Sequence, residues 1–330
     1  MKIGFFELEK WEQDYIKNNL NGHKIFFYSE KLNIKNAHKI KNLDAVVCFI
    51  YSRLTKDVLM KTSGIKLIST MSTGFNHIDT NYCKENGIKV SNVPSYGENT
   101  VAEHAFGLIL SLSKKLNLAI ARTKKDNFSL KGLMGFDLKG KKLGVIGVGK
   151  IGYQVIRMAK GFDMDIIAFD LYKNNGWEKE LGFTYVSLDK LLMQSDIITL
   201  HVPLNGETRH IINMGNIKKI KRGVYIVNTS RGEVIETKAL LYGLDKGIIS
   251  GAGLDVLEEE NQMREHKKYL HSSKNNGEIM RQNHKLLKND NVLITPHSAF
   301  YTKEAIKRIL DTTIENINSF SKGKTLNSVY

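Results

Sequence analysis

The segment from Lys142 to Gly152 reads KLGVIGVGKIG, a short apolar run that leads into glycines spaced as G-x-G-x-x-G, the first two being Gly147 and Gly149. The apolar run predicts a buried strand, and the residues that follow, through about Phe162, predict a helix. Glycines at this spacing allow a tight turn and a close approach of backbone to pyrophosphate, while the helix N-terminus offers free N–H groups. The segment therefore predicts a strand–turn–helix unit that binds a dinucleotide.

An acidic residue at the end of the next predicted strand supports this interpretation. Asp170 lies 18 residues beyond Gly152, close to the spacing of a carboxylate that hydrogen-bonds a ribose diol. Such a carboxylate accepts hydrogen bonds from a 2′-hydroxyl but repels a 2′-phosphate, which favours NAD over NADP. Lys173 is near enough in the sequence to weaken that preference. We expect NAD as the cofactor.

Apolar runs alternate with amphipathic stretches on both sides of the glycine segment. This alternation is typical of a parallel sheet whose strands are joined by crossover helices. The strands predicted before the glycine segment are Lys2–Leu8, Lys24–Tyr28, Ala45–Ile50, Lys66–Thr70 and Lys89–Asn92. The strands predicted from it onward are Lys142–Gly147, Asp165–Asp170, Asp196–His201, Tyr225–Thr229, Gly251–Val256 and Val292–Thr295. The sequence predicts an α/β protein with two domains, one of them a Rossmann domain.

Two further segments predict helices. The first extends from about Thr100 to Arg122 and carries apolar residues on more than one face. We expect both sides to be buried, one against its own domain and the other against a second subunit or against more of the same chain. The second lies near Thr302–Lys322 and has an apolar face that it cannot bury alone. It must pack against an earlier part of the chain.

Composition excludes several classes of function. The net charge of +15 comes mostly from lysines that are scattered along the chain, without the interleaved aromatic residues of a nucleic-acid surface. No segment has about 18 consecutive apolar residues, and the start lacks a signal peptide, so we expect a cytoplasmic protein without a membrane partner. The two cysteines, Cys48 and Cys83, have no paired ligand spacing, and no metal site is expected.

Polar residues follow three of the later predicted strands. They are Arg231, the acidic residues Asp255 and Glu258 to Glu260, and His297. Ligands bind at the carboxyl ends of strands in open parallel sheets, so these residues are candidates for one site. Each has an ordinary structural explanation when taken singly. Together they provide a guanidinium for a carboxylate and a proton donor for a carbonyl oxygen, which is what reduction of a 2-keto acid requires.

Seven motifs occur in order along the chain. They are Ser72–Asp79, Asn92–Pro94 with Val101–His104, the glycine fingerprint, His201–Leu204, Asn228–Gly232, Gly253–Val256 and Pro296–His297. Together they resemble the D-2-hydroxyacid dehydrogenase family, and most of all its D-lactate dehydrogenase branch. The resemblance extends over nearly the whole chain.

The resemblance implies a role for each of the polar strand-end residues. Arg231 would bind the substrate carboxylate and help to polarise the keto group. His297 would be the general acid in reduction and the general base in oxidation. Glu260 would hydrogen-bond the imidazole, where a carboxylate favours the protonated ring. The choice of Glu260 over the two preceding glutamates rests on its spacing of five residues from Asp255.

The resemblance also implies which residues surround the substrate and the cofactor. The backbone at Thr73 and Gly74 would hold the substrate carboxylate, while Tyr96 and Tyr301 would either shape the pocket or serve as core aromatics. Asp255 would face the nicotinamide. The residues expected to bind the cofactor are Gly147, Gly149, Lys150, Ile151, Gly152, Asp170, His201, Val202, Pro203, Thr208, Asn228, Thr229 and Asp255.

The domain organisation follows from the same resemblance. A discontinuous, flavodoxin-like substrate domain would comprise residues 1–99 and 298–330, and an NAD-binding Rossmann domain would comprise residues 100–297. Closure of the two lobes would exclude water from the path of the hydride. The long helix near Thr100–Arg122 would contribute to a homodimer.

Two features depart from the family pattern, and they leave alternatives open. Met71 stands where lactate-type relatives often carry arginine, and residues 261–291 form a long polar stretch of the kind found in the lactate branch. Reduction of pyruvate to D-lactate is the leading reaction, followed by reduction of phenylpyruvate or branched 2-keto acids. The other hypotheses are an NAD(H)-sensing, corepressor-like binding protein of the same fold and a formate or phosphite dehydrogenase.

Overall fold

The computed structural model of the protein describes residues 1–62, 64–260 and 277–330. Residues 261–276, which form part of the polar stretch noted above, lie outside the described residues. The chain divides into two compact units, Met1–Tyr96 with Thr302–Tyr330 and Gly97–Tyr301. Among the described helices, none is long and apolar enough to cross a membrane.

The first unit contains a parallel sheet of five strands in the order β2-β1-β3-β4-β5. Its strands are β1 Lys2–Phe6, β2 Lys24–Tyr28, β3 Ala45–Cys48, β4 Leu67–Thr70 and β5 Lys89–Ser91. Its helices are α1 Lys10–Asn19, α2 Lys56–Leu59, α3 Thr80–Glu85, a 3₁₀ turn at Ala37–Ile40 and the C-terminal helix Lys303–Ser321. All residues of β3 and β4 are buried, which explains why central strands of this sheet appear as unbroken apolar or small-residue runs.

The C-terminal helix completes this first unit. Its first turn is capped by Thr302, whose side chain accepts a hydrogen bond from the Ala305 N–H. Its buried residues include Ile309 and Ile317, and it packs against α1 and β4. The apolar face that the helix cannot bury alone is thus covered by α1 and by the N-terminal sheet.

The second unit contains a parallel sheet of seven strands in the order β12-β11-β10-β9-β6-β7-β8. Its strands are β6 Lys142–Ile146, β7 Asp165–Phe169, β8 Thr184–Tyr185, β9 Ile197–Leu200, β10 Val224–Asn228, β11 Ile249–Leu254 and β12 Val292–Ile294. Its helices are α4 Glu98–Ser113, α5 Leu116–Thr123, α6 Lys150–Gly161, α7 Asn175–Leu181, α8 Leu188–Gln194, α9 Thr237–Asp245 and α10 Glu278–Leu287, with 3₁₀ turns at Ile217–Lys219 and Gly232–Val234. Six strands were expected here, and β8 is the additional one.

Buried apolar residues cover both faces of this sheet, in one cluster that includes α4 and α6 and another that includes α8 and α9. Strand β6 has β7 on one side and β9 on the other, so the order of strands reverses direction at β6. In open parallel sheets a crevice for ligands forms at such a reversal, outside the carboxyl ends of the strands. The fold therefore places the glycine segment at the ligand-binding edge.

The single helix expected from Thr100 to Arg122 is interrupted, and that prediction was wrong. Lys115 adopts a left-handed conformation with φ +51°, which separates α4 from α5. The Ser113 carbonyl accepts a hydrogen bond from the Phe136 N–H at 2.9 Å, so a later segment of the chain takes the place of a helical partner. Helix α4 has eight buried residues, whereas none in α5 is buried. Only α4 belongs to the core of the unit.

Candidate active site

The glycine turn at the end of β6 has two positions that admit no side chain and one that is open. Gly147 has φ +94°, and a Cβ placed on it would lie 2.7 Å from Val202 Cγ1. A Cβ on Gly152 would lie 2.1 Å from the Gly147 carbonyl oxygen. Gly149 is the N-cap of α6, and a Cβ there would meet nothing within 4 Å. The turn therefore leaves space beside the helix N-terminus, where a pyrophosphate fits.

Asp170 is fixed beside this turn. Its Oδ2 accepts a hydrogen bond from the Val148 N–H at 2.7 Å, and its Oδ1 accepts one from the Tyr172 N–H at 2.9 Å. A carboxylate oxygen can accept more than one hydrogen bond, so the two hydroxyls of a ribose can still be bound. The geometry fits a dinucleotide whose ribose lies at the end of β7.

Two buried polar atoms at neighbouring strand ends also fit a bound ligand. His201 Nδ1, just beyond β9, and Thr229 Oγ1, just beyond β10, have no hydrogen-bond partner within residues 1–62, 64–260 and 277–330. The other nitrogen of His201, Nε2, lies 2.8 Å from Thr199 Oγ1. Because buried polar atoms are almost always paired, these two indicate a position where a ligand supplies the missing partners.

Other side chains of the expected cofactor set stabilise their own loops. The Thr208 hydroxyl donates to the Pro203 carbonyl at 2.5 Å, and Asn228 Nδ2 donates to the Arg231 carbonyl at 2.8 Å. Lys150 Nζ lies 3.6 Å from a Glu98 carboxylate oxygen, and Ile151 packs as a partly buried residue of α6. Direct contact of these side chains with a cofactor stays a prediction.

Replacing Asp170 by asparagine tests its part in cofactor choice. The variant keeps the shape of the side chain but loses the charge that repels a 2′-phosphate. We expect the ratio of kcat/KM with NADPH to that with NADH to rise about tenfold, which corresponds to about 1.4 kcal/mol. Steady-state assays with both coenzymes measure it. Lys173→Ala is the matched control and should lower the same ratio; an unchanged ratio in both variants would contradict the assignment.

Two buried histidines are expected to make the stability of the fold depend on pH. Burial lowers the pKa of His201 to about 3 and that of His77 to about 4. The unfolded chain, with pKa values near 6.5, takes up protons below that pH that the folded chain does not. We expect the free energy of unfolding to fall between pH 6.5 and pH 4, by up to about 1.4 kcal/mol per pH unit for each histidine.

Urea unfolding of the wild type and of His77→Gln at pH 7, 6 and 5 measures this effect. Glutamine retains a polar group near Thr70 Oγ1, which lies 3.1 Å from His77 Nε2, but it does not titrate. The variant should lose less stability than the wild type as the pH falls. Equal losses in the two proteins would show that His77 does not contribute.

His297 and Glu260 lie together in the second unit. His297 Nδ1 is 2.5 Å from Glu260 Oε1, and both side chains are partly buried. His297 follows β12 and has φ +58°, a conformation that is uncommon for residues other than glycine. The pair provides an imidazole whose Nδ1 faces a carboxylate and whose Nε2 is the nitrogen that can exchange a proton with a ligand.

The Asp255 carboxylate holds the loop that carries His297. Its buried carboxylate accepts hydrogen bonds from the Thr295 hydroxyl at 2.5 Å, the Ser298 N–H at 2.8 Å and the Ala299 N–H at 2.9 Å. These bonds bracket His297 and hold its loop in the left-handed conformation. His104 Nε2 lies 3.0 Å from Thr295 Oγ1 and extends the network to α4. The motif Val101–His104 therefore contributes a side chain to the support of the His297 loop.

Arg231 lies just beyond β10, the neighbour of β11 in the sheet. Its NH1 donates to the Ser230 carbonyl at 2.7 Å. The next residue, Gly232, packs so closely on the loop after β11 that a Cβ would lie 2.0 Å from the Leu257 carbonyl carbon. The backbone that follows Arg231 is therefore held in place by the segment that carries Glu260.

The remaining predicted substrate residues are found in both units. In the first unit, the Thr73 hydroxyl donates to the Val93 carbonyl at 2.9 Å, and the Gly74 carbonyl accepts from the Ser72 hydroxyl at 2.6 Å. The Tyr96 carbonyl accepts a hydrogen bond from Arg308 Nε at 2.6 Å. In the second unit, Tyr301 is 53% exposed, and its ring packs edge-on against the Phe300 ring. The parts assigned to these residues in substrate binding stay predictions.

The glycine turn, the Asp170 carboxylate and the His297–Glu260 pair all follow carboxyl ends of strands in one parallel sheet, as in a Rossmann-type, NAD-dependent oxidoreductase. Residues 106–299 match the family model described as the NAD binding domain of D-isomer specific 2-hydroxyacid dehydrogenases. The chain belongs to this family, whose members are NAD-dependent D-2-hydroxyacid dehydrogenases.

Relatives cover the whole length of the chain. The D-lactate dehydrogenase of Escherichia coli is 38% identical, over 98% of this chain and 98% of its own. The aromatic 2-oxoacid reductase of Clostridium sporogenes is also 38% identical, over 97% of this chain and 96% of its own. The structure of Aquifex aeolicus D-lactate dehydrogenase complexed with NAD and lactic acid gives a TM-score of 0.86 at 37% identity, over 97% of this chain and 96% of its own.

Proposed function

We propose that the protein is a D-lactate dehydrogenase, which reduces pyruvate with NADH to D-lactate and NAD. The observation that carries this proposal is the 2.5 Å contact between His297 Nδ1 and Glu260 Oε1. Three adjacent strands, β10, β11 and β12, end in the loops that carry Arg231, Glu260 and His297. These loops support the proposal because they carry an imidazole, a carboxylate and a guanidinium at the carboxyl ends of adjacent strands of the NAD-binding sheet.

The catalytic roles follow from the chemistry of these three side chains. The Arg231 guanidinium forms two parallel hydrogen bonds to the substrate carboxylate and orients the keto group. NADH, when bound, supplies the hydride that adds to C2 of the substrate. Protonated His297 gives its Nε2 proton to the carbonyl oxygen, and Glu260 stabilises the imidazolium before the transfer. Thr73 and Gly74 are proposed to bind the substrate carboxylate through their backbone.

Reduction of aromatic 2-oxoacids is the second candidate. The relative named aromatic 2-oxoacid reductase is as similar to this chain as the D-lactate dehydrogenase of Escherichia coli. In addition, Met71 is an apolar, buried side chain at the position where lactate-type relatives often carry arginine. This replacement is the feature of the sequence that leaves the substrate side chain open.

Following NADH oxidation with a panel of keto acids separates these candidates. The panel comprises pyruvate, 2-oxobutyrate, 2-oxoisocaproate and phenylpyruvate. Formate and phosphite are tested separately as compounds that would be oxidised with reduction of NAD. We expect the highest kcat/KM with pyruvate. A higher value with phenylpyruvate would favour the second candidate, and higher activity with formate or phosphite would replace both. Tight NADH binding without turnover on any compound would favour an NAD-sensing binding protein.

We also propose that the protein forms a homodimer through α5 and the segment after it. Large apolar side chains are exposed there, among them Leu130 at 82% and Met134 at 88%. Ile120 of α5 is 53% exposed, and Leu116 is 43% exposed. A patch of this kind on a chain with two well-buried sheets is typical of a subunit interface.

Introducing charge into this patch should separate the subunits. In the double variant Leu130→Glu/Met134→Glu, two carboxylates would have to be buried without partners, so we expect a monomer at concentrations where the wild type is a dimer. Sedimentation velocity measures the result. Met60→Glu, at another exposed apolar residue in the first unit, is the control and should leave the mass unchanged. A double variant with the wild-type mass would place the interface elsewhere.

A further inference from the structure

The turn that presents Glu260 is strained. The Glu260 N–H donates to the Leu257 carbonyl at 3.2 Å, which closes a tight turn over residues 257–260. Within it Glu259 has φ +55°, in the left-handed region that residues other than glycine rarely adopt. Such a conformation persists only when surrounding contacts hold it.

The contacts that hold the turn converge on Glu258, whose side chain is buried. Its Oε1 accepts a hydrogen bond from His210 Nε2 at 2.8 Å. Its Oε2 accepts hydrogen bonds from the N–H and the hydroxyl of Thr237 at 3.2 and 2.8 Å. Its backbone carbonyl accepts a hydrogen bond from Asn283 Nδ2 at 2.8 Å. Three segments that are remote in the sequence therefore fix this one residue. In addition, the guanidinium nitrogen NH2 of Arg209 lies 4.0 Å from Glu258 Oε1.

The same turn also supports the other side of the site. A Cβ on Gly232 would lie 2.1 Å from the Leu257 carbonyl oxygen and 2.3 Å from the Glu258 nitrogen. Gly232 thus rests directly on the backbone of the turn, and Arg231 precedes it. A displacement of the turn would move Glu260 away from His297 and release the backbone next to Arg231 at the same time.

We propose that His210 and Glu258 are positioning residues of the reaction: they hold the turn at residues 257–260 in the form in which Glu260 reaches His297. This inference rests on the proposed function. A carboxylate can only accept hydrogen bonds, so His210 Nε2 is the donor to Glu258 Oε1. Removal of the imidazole leaves this buried oxygen without that partner. A buried charge that loses a partner is costly, and the turn moves to give the oxygen access to water.

The experiment compares His210→Leu, which removes the donor, with His210→Gln, whose amide N–H₂ replaces it. The exposed His38, changed to leucine, is the matched control. One readout is kcat with pyruvate and NADH. The other is the low-field proton signal of the His297 Nδ1–H···Glu260 hydrogen bond, identified by its loss in His297→Gln. We expect His210→Leu to lower kcat about 10- to 100-fold and to lose the signal.

His210→Gln and His38→Leu should keep both the signal and a kcat within about threefold of the wild type. Wild-type kcat and an intact signal in His210→Leu would overturn the inference. If the wild type itself turns over no keto acid, the proposed function fails, and the proton signal alone decides whether His210 positions Glu260. If His210→Leu does not fold, Thr237→Val takes its place, since it removes only the hydroxyl bond to Glu258.

Discussion

Replacing His297 by glutamine should lower kcat for pyruvate reduction by about 10²- to 10⁴-fold, the contribution expected of a positioned general acid. Glutamine keeps a polar group that can reach Glu260 but cannot release a proton to a carbonyl oxygen. The loss should therefore appear in kcat, while the Kd of NADH, measured by fluorescence, stays close to that of the wild type.

The pH profile provides an internal control for this result. Wild-type kcat/KM should depend on the protonation of one group in the reduction direction, and His297→Gln should lack that dependence. A variant that retains more than a tenth of wild-type kcat, or an unchanged pH profile, would show that another group donates the proton.

Replacing Arg231 by glutamine should lower kcat/KM by about as much as His297→Gln lowers kcat. The change removes a charge and the two hydrogen bonds proposed to bind the substrate carboxylate, each worth about 1.5–3 kcal/mol, so kcat/KM should fall about 10²- to 10⁴-fold. Arg231→Lys should recover only part of this loss, because an ammonium cannot bind both carboxylate oxygens in the same plane.

Arg222→Gln is the matched control for the arginine variants. Arg222 is exposed and donates to the Lys246 carbonyl, so its removal should leave kcat/KM unchanged. The assignment of Arg231 would be wrong if Arg231→Gln bound pyruvate and turned it over as the wild type does.

Features that depend on local sequence could be predicted. The glycine segment predicted the turn between β6 and α6 because the contacts that exclude a side chain at Gly147 and Gly152 are made just beyond the adjacent strand β9 or within a few residues. Most strands were located within two residues, since the apolar runs of a parallel sheet are buried on both faces. The exception is β8, which has only two residues and no run to recognise.

Features that depend on distant contacts could not be predicted. The break at Lys115 is associated with a hydrogen bond from Phe136, which leaves no mark in the helical pattern. Asp255 was expected to face the nicotinamide, and the pattern could not reveal that its carboxylate holds the His297 loop. His210 has no motif of its own, and only the fold brings it to Glu258.

Transfer of deuterium from NADH labelled at C4 of the nicotinamide tests the central claim most directly. Pyruvate is reduced with each of the two stereospecifically labelled coenzymes, and the product is analysed by mass and by chiral chromatography. We predict D-lactate that carries deuterium at C2 from one of the two coenzymes. L-lactate, or a product without deuterium from either coenzyme, would contradict the account.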